Sequence, residues 1–546
     1  MLWACGCGDE TAKPTAPAPP PEPLFVDVTD GSGVDFSHNN GASSDRLLPE
    51  TMGSGVAVFD ADGDGRPDLL FADGTSLADG SPRSHLALYR NLGSWRFEKV
   101  PKSAGLAVDG YAMGVAVGDV DGDGALDVVV TTAGAGAGDR LFLNRGDGTF
   151  DDASEAWGLR RDGGFGSSAA LFDADGDGDL DLFAARYVEW SVADDVACSP
   201  DGEHRTYCTP EVYGAVTSRF YRSLGDRMVE ATEEAGLSLP GKSLGVAVLD
   251  VGADGHLDVA VANDTVPNQL YVNLGGGLFE ERAAAHGFDV GPSGEARGGM
   301  GIVAGDLDGD GFEDLVVGNF ANEAAGYFRA DADGLFRDAA AEARLGISTL
   351  LSLTFGALAL DLDGDGSLDL ALANGHIEPE IAAITGGRHT YAQPLQIFIN
   401  GDGSFREAPG PESTFVGRGL AAGDLDGDGD PDLVLSQNGL GAVLLRNESR
   451  GSSWVRIRLR GPGRNTWGYG AALTLRTTDR TVVRRLDPGG SYLSTSEPLI
   501  AVGLRPGERI EEVSVLWPGG RRDDLDVSPA ADAGVLVVCA PDAACS

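Results

Sequence analysis

Short apolar runs recur in pairs along this chain, and between the two members of a pair lies the same polar stretch. GVAVFD leads into the stretch that starts at Asp60 and PDLLFAD leaves it; the pattern returns through the chain about every 61 residues. Runs of this length, bounded by Gly, Asp and Pro, read as strands, so each pair predicts a hairpin. A second pair of strand-like runs follows each hairpin, as in LALYRNLGSWRFEKV from Leu86, RLFLNRGDGTFDDAS from Arg140, NQLYVNLGGGLFEER from Asn268 and LQIFINGDGSFREAP from Leu395. Each copy is therefore a four-stranded antiparallel unit. Units of this size and strand number predict propeller blades, and seven copies predict an all-β chain built on a seven-bladed β-propeller.

Closure of the ring can be read from the ends of the repeat. FVDVTDGSGVDF at Phe25 matches the fourth strand of a blade, while VLLRNES at Val443 is a third strand with no fourth after it. Joining them completes the seventh blade and removes an open sheet edge. Strand direction then assigns the faces. The polar stretch joins strands one and two and the tight turn joins three and four, so both lie on one face. The longer connections, residues 187 to 217, 263 to 269 and 373 to 394, lie on the other, which is the expected binding face.

The polar stretches carry the candidate chemistry. They read DADGDGRPD from Asp60, DVDGDGALD from Asp119, DADGDGDLD from Asp173, DVGADGHLD from Asp250, DLDGDGFED from Asp306, DLDGDGSLD from Asp361 and DLDGDGDPD from Asp424. Carboxylates at positions 1, 3, 5 and 9, with a backbone carbonyl at position 7, make an oxygen cage suited to Ca²⁺, and the glycine at position 6 allows the sharp turn. The candidate ligands are Asp60, Asp62, Asp64 and Asp68; Asp119, Asp121, Asp123 and Asp127; Asp173, Asp175, Asp177 and Asp181; Asp250, Asp254 and Asp258; Asp306, Asp308, Asp310 and Asp314; Asp361, Asp363, Asp365 and Asp369; and Asp424, Asp426, Asp428 and Asp432. Up to seven ions are expected. The fourth is doubtful, because Gly252 stands where position 3 needs an oxygen. An EF-hand is excluded, since position 12 is apolar in every copy where that motif needs Glu.

Beyond residue 449 the pattern changes. WVRIRLRG from Trp454 alternates, and AALTLRTT, RTVVRRL, LIAVGL and EEVSVLWPGG follow as further strands, so residues 450 to 527 predict a small all-β domain, followed by a tail over 528 to 546. That domain holds 13 Arg, no Lys and 9 acids, so it is basic while the rest of the chain is strongly acidic. It could dock on the acidic propeller, hold an anionic partner or present a solvated face. The whole chain carries 40 Lys+Arg against 85 Asp+Glu, a net −45 that repels nucleic acid and favours cations.

Residues 1 to 23 end in a Pro/Ala-rich tether. The opening Leu2-Trp3-Ala4-Cys5-Gly6 resembles the end of a bacterial lipoprotein signal, which makes Cys5 the candidate lipidated residue, although no basic or apolar stretch stands upstream of it. Cys198 with Cys208, and Cys539 with Cys545, are spaced for short disulfides, which fit an extracellular, surface or periplasmic setting. No apolar run is long enough to span a bilayer.

The hairpin unit resembles the FG-GAP or VCBS repeat of integrin α-subunit propellers. SHNNGASSDRLLPETMGSGVAVFDADGDGRPDLLFADG, YCTPEVYGAVTSRFYRSLGD, ANDTVPNQLYVNLGGGLFEE and ANGHIEP further resemble the propeller of the cartilage acidic protein family. RGPGRNTWGYGAALTL, GGSYLSTSEP and VSVLWPGGR resemble the ASPIC/UnbV domain that ends those proteins. The resemblance implies a secreted or surface-attached calcium-dependent propeller with adhesive or interaction roles, and it defines no reaction.

No nucleophile elbow, HExxH, phosphate loop or CxxC pair is present. On the long-loop face stand Asn263, Asp264, Asn268, Asn319, Asn374, His376 and Glu378, all near the ends of second strands. They could converge on the channel mouth, with Asp264 or His376 as acid or base of a lyase, isomerase or cyclase, or they could cap strand ends. The insertion YVEWSVADDVACSPDGEHRTYCTPEVY offers Tyr187, Trp190, Tyr207 and Tyr213 either to sugar rings or to packing beneath the loop. The leading expectation is a non-enzymatic module that binds protein or glycan.

Overall fold

Strand pairing in the computed structural model follows the repeat. The structure describes residues 23–77, 83–101, 104–134, 138–199, 205–449, 453–487, 489–525, 535–540 and 543. Seven four-stranded blades form the ring. Their innermost strands are Val56–Phe59, Tyr111–Gly118, Gly164–Phe172, Ser243–Leu249, Gly299–Gly305, Thr354–Leu360 and Gly417–Gly423. Each pairs antiparallel with a second strand beginning at the last aspartate of the polar loop, such as Asp68–Phe71 or Asp258–Asn263.

Burial explains the sequence pattern. Inner strands sit between two neighbouring blades and read as nearly unbroken apolar runs, all buried in Tyr111–Gly118. Outer strands are short and mostly exposed, as in Phe97–Lys99, where only Phe97 is buried. Blades pack so closely that side chains are excluded at some inner positions. A Cβ at Gly301 would collide with the Phe355 carbonyl of the next blade.

The ring closes as the ends of the repeat predict. Phe25–Asp27 pairs antiparallel with Val443–Asn447, with Phe25 opposite Asn447 and Asp27 opposite Leu445. The seventh blade is thus built from both ends of the propeller, and Phe25–Asp27 covers the edge that Val443–Asn447 would otherwise leave open.

The small domain has two sheets. Ser453–Arg460 lies between Ile500–Leu504, antiparallel, and Val535–Cys539, parallel. Thr481–Arg485, Ala472–Thr477, Ile510–Leu516 and Arg522–Leu525 form the other. The strand Val535–Cys539 carries the domain past residue 527, because its apolar residues continue the sheet beside Arg456–Arg460. Ile457 and Leu459 point into a core shared with blades one to three. Of the alternating arginines, Arg456 pairs with Asp424 of the seventh blade, while Arg460 lies 4.4 Å from the centre of the Trp467 ring within its own domain. Of the three readings of this basic domain, docking on the acidic ring is the one observed.

Cys198 and Cys208 form a disulfide, with Cα atoms 5.3 Å apart. Cys539 is disulfide-bonded as well; Cys545 and Cys5 lie outside the described residues.

Candidate functional site

Each polar loop is a turn wound around its own carboxylates. Asp60 accepts the N–H groups of Gly63, Asp64 and Gly65, and Asp62 and Asp64 accept those of Asp64 and Arg66. The aspartate at position 9 locks the hairpin in all seven copies. One oxygen of Asp68 accepts the Ala61 N–H at 3.1 Å and the other the Asn91 N–H at 2.7 Å; Asp127, Asp181, Asp258, Asp314, Asp369 and Asp432 repeat both bonds.

The carboxylates also crowd one another. In at least five loops, oxygens from Asp60, Asp62 and Asp68, from Asp119, Asp121 and Asp127, from Asp173, Asp175 and Asp181, from Asp306, Asp308 and Asp310, and from Asp361, Asp363 and Asp365 lie within 4.8 Å of one another, and such groups could hold a metal ion. Burial, with repulsion from neighbouring carboxylates, lifts the position 9 acids to about 7 for Asp68 and Asp314 and to about 8 for Asp127 and Asp369. A bare cluster of this kind is electrostatically unfavourable. An oxygen-preferring cation between the carboxylates removes the conflict, so the donor set fits a hard divalent ion.

A second recurring residue joins the loops into a ring. The asparagine ending the third strand donates to the position 8 carbonyl of its own loop and to the position 2 carbonyl of the preceding blade's loop. Asn91 reaches Pro67 O and Leu425 O, Asn144 reaches Leu126 O and Ala61 O, and Asn400 reaches Leu368 O and Leu307 O. Asn273 and Asn447 do the same. The signal was visible in LYRN, LFLN, LYVN, IFIN and LLRN, but strand alternation does not reveal what an end residue bonds. Blades three and five have Ser223 and Ala330 at this position instead.

The channel is plugged from the loop face by the small domain, a feature the sequence reading did not identify. Residues Gly490 to Glu497 touch inner strands all around the ring. Gly490 N donates to Val246 O, Ser491 N to Ile302 O and Leu493 N to Ser168 Oγ. Val115 N donates to Leu493 O, Val58 N to Thr495 O, and Glu497 N to Ala422 O. The Tyr492 ring lies 4.9 Å from Phe355 of blade six and its hydroxyl donates to Met52 O at 3.2 Å.

The opposite mouth is closed by a cap. Arg418, fully buried, donates to the carbonyls of Thr51, Gly375 and His376 and lies 4.0 Å over the Phe355 ring, tying the segments around Thr51 and His376 together. Tyr187, Trp190, Tyr207 and Tyr213 are buried under the disulfide loop; Tyr207 donates to Glu50, and Trp190 and Tyr213 both donate to Asp195. Packing beneath the loop is therefore the role these aromatic residues take.

The polar residues expected at this mouth are placed as follows. Asn263 Nδ2 donates to Pro267 O, Asn319 Nδ2 to Ala324 O and Asn374 Nδ2 to Pro394 O, each tying down the connection from second to third strand. Asn268 accepts the Asn263 N–H and donates to Phe288 O. Asp264 is buried and accepts the Tyr187 hydroxyl at 2.6 Å, and burial lifts its carboxyl to about 7. His376 is pushed down to about 4 by burial and by Arg418. Its ring packs 5.6 Å from Phe320 and 6.3 Å from His389, while Glu378 donates its N–H to His376 Nδ1. Asp264 and His376 thus have separate sets of neighbours. A void of only about 10 Å³ adjoins Asn268 and Asn319. A cavity of about 410 Å³ lies on the other side, between the small domain and blades four to six, lined among others by Asp306, Asp361, Arg484, Asp487 and Glu497.

Comparison with known proteins matches these two parts separately. An FG-GAP-like repeat model matches residues 60–130, 127–184, 250–317 and 373–435, an FG-GAP repeat model matches 416–455, and an ASPIC and UnbV model matches 461–538. Cartilage acidic protein 1 of Mus musculus is 28% identical over 549 residues, covering 95% of this chain and 77% of the relative; that of Homo sapiens is 28% identical over 543 residues, covering 95% and 76%. Among solved structures, an Agrocybe aegerita lectin that recognises non-reducing terminal N-acetylglucosamine aligns with a TM-score of 0.38 at 16% identity, over 65% of this chain and 79% of the lectin. A Bacillus licheniformis rhamnogalacturonan lyase aligns at 0.29 and 10% identity, over 75% of this chain and 92% of the lyase. Both likenesses concern overall architecture only.

Proposed function

We propose that this chain, which consists of FG-GAP repeats followed by an ASPIC/UnbV domain and is a relative of cartilage acidic protein, is a calcium-stabilised module displayed outside the cell that binds a protein or glycan ligand. Calcium would be held by the carboxylates at positions 1, 3, 5 and 9 of each complete loop and the carbonyl at position 7, and would supply the charge that lets the hairpin stay closed. The disulfide at Cys198 and Cys208 supports an oxidising location, and no helix among the described residues is long and apolar enough to cross a membrane. Attachment through a lipid on Cys5 belongs to the same proposal.

The observation that carries the binding reading is an apolar surface on the face opposite the loops. Ile347 is 91% exposed, Leu351 51% and Ile384 62%. They stand on two adjoining segments, Leu345–Thr349 with its continuation and Ile381–Ile384 with the following loop, which meet where the His389 ring lies 3.3 Å from Leu351 O. Large apolar side chains held in water by short helices cost solvation and suit a partner's surface. Asp264 and His376, by contrast, are walled in by the cap, so the geometry favours binding over the alternative of catalysis at the mouth.

The test joins both halves. The chain is immobilised with and without calcium and offered extracellular protein and a glycan array, beside the Ile347→Asp/Leu351→Asp variant. The reading expects calcium-dependent capture that the variant loses while its melting temperature holds. A melting temperature unchanged by excess chelator would refute the calcium half, and equal capture by the variant would refute the face.

A further inference from the structure

The repeat breaks at two places in the fourth loop and at one in the fifth, and the breaks meet in space. Position 3 is Gly252, which carries no oxygen. Position 4, glycine in every other copy, is Ala253, held at φ +54 beside Gly252 at φ +91, so the turn itself is wound differently. The third break lies in the next loop. Position 8 is Pro67, Leu126, Leu180, Leu257, Leu368 and Pro431 in six copies but Glu313 in the fifth. Glu313 reaches back to the fourth loop, where its Oε2 accepts the Asp250 N–H at 3.1 Å.

A cation from the small domain sits between the two loops. Arg485 donates through Nε to both Glu313 oxygens, at 3.0 and 2.8 Å, and its Nη2 is 2.7 Å from Glu313 Oε2 and 3.9 Å from Asp250 Oδ2. Its other end group, Nη1, donates to Gly470 O at 2.7 Å, which fixes the side chain from within its own domain. The side chains of Arg485 and Glu313 are 10% and 11% exposed and that of Asp250 only 2%. At such burial the pair is weakly screened and its geometry is constrained.

One carboxylate has been lost from the cage, another has been gained just outside it, and a fixed guanidinium lies between. We propose that the fourth loop takes no calcium and that Arg485 supplies its positive charge. The chemistry is consistent with this. Three remaining carboxylates without position 3 leave a poor cage for an ion that wants six to eight oxygens. Arginines also touch candidate ligands in complete loops, Arg456 at Asp424 and Arg329 at Asp308, so what sets the fourth loop apart is a guanidinium held beside a cage that already lacks one carboxylate. This junction also lacks the asparagine tie, since blade five has Ala330 at that position, so Arg485 and Glu313 join blades four and five where other junctions use Asn91, Asn144, Asn273, Asn400 or Asn447. The inference rests on the calcium reading of the other six loops.

The experiment counts bound calcium per full-length chain by equilibrium dialysis and elemental analysis at saturating calcium. The wild-type chain is expected to hold six ions. The Gly252→Asp/Ala253→Gly/Arg485→Ala variant, which gives the fourth loop the composition of the others and removes the guanidinium, is expected to hold seven. A wild-type count of seven overturns this inference and leaves the calcium reading intact; a count of zero ends the calcium reading and this inference with it. Six in the triple variant, shown folded by circular dichroism, overturns the roles of Gly252 and Arg485. The wild-type count needs no variant, so misfolding of the triple mutant leaves that readout decisive.

Discussion

Removing the asparagine tie between blades five and six should cost far more than an ordinary surface substitution. The perturbation is Asn400→Ala. Asn400 is 5% exposed; its Nδ2 donates to Leu307 O at 2.6 Å and Leu368 O at 2.8 Å, and its Oδ1 accepts the Gly403 N–H at 2.9 Å. Three bonds at about 1 kcal/mol net each give about 3 kcal/mol, and the carbonyls and N–H left unpaired in a dry setting raise the loss toward about 5 kcal/mol. Its backbone N–H, which bonds Asp369, is untouched, so the loop keeps its lock. The control is Ser223→Ala, at the same position in blade three, where the side chain accepts the Gly225 N–H at 3.2 Å; there the loss should be at most about 1 kcal/mol. Urea unfolding in saturating calcium, followed by tryptophan fluorescence, compares the two with the metal contribution held constant. Losses that agree within about 0.5 kcal/mol, a margin set by the spread of single hydrogen-bond values, would refute the reasoning.

Three further outcomes follow from individual residues. Ala253→Gly removes a side chain from the left-handed region and should stabilise the chain by about 1 kcal/mol in the same unfolding assay, with no gain meaning that the turn relaxes when Ala is present. His38 is buried against Tyr111 and Gly439, and burial together with Arg418 pushes it down to about 3 from an unfolded value of about 6.5. The unfolded state therefore takes up the proton first, and stability is lost as pH falls below about 6.5, by about 1.4 kcal/mol per unit until about 3; His38→Gln should flatten that slope between pH 7 and 5 in saturating calcium, and an unchanged slope would clear His38 of the role. Cys198→Ser/Cys208→Ser opens a short loop worth up to about 3 kcal/mol, and it should admit protease within residues 187 to 217 while leaving the blades protected; protection equal to wild type would show that the buried aromatics alone hold the cap.

The ring was legible because its period is long and strict. The alternation of GVAVFD and PDLLFAD around each loop, and the orphan strands at Phe25 and Val443, are local patterns with one geometric solution. What stayed hidden was what faces what. Alternation in WVRIRLRG separates Ile457 and Leu459 from Arg456, Arg458 and Arg460, yet the same alternation would serve a solvated face or a docked one, and only the Asp424 contact decides it. The plug was hidden for a related reason. Ser491 to Glu497 has no apolar period, and most of its partners are backbone groups of inner strands, which no side-chain pattern marks. Likewise Asn263, Asn319 and Asn374 share a register in the repeat, which suggests a common site, whereas each closes its own connecting loop.

Closure of both ends of the channel changes where recognition can occur. A propeller with an open funnel brings its blades to a central pocket, but here Tyr492 enters from the loop side and Arg418 with Thr51 and His376 seals the other. The centre is thereby spent on holding the ring together, and the buried groups beside it, Asp264 with Tyr187 and His38 with Tyr111, are hydrogen-bonded pairs that pair one another's polar atoms in a dry interior. Among the described residues, two places away from the sealed centre stand out: the exposed apolar side chains around Ile347 and Leu351, and the cavity of about 410 Å³ beside Arg484 and Asp487, whose volume suits a small ligand. They lie on opposite faces, and only the second borders the carboxylate loops. Calcium acting at Asp306 and Asp361 would therefore set the cavity directly and reach the apolar face only through the stability of the blades between them. A partner that binds the apolar face should respond to calcium gradually, as the blades are stabilised, whereas a small ligand of the cavity should respond to the filling of those two loops.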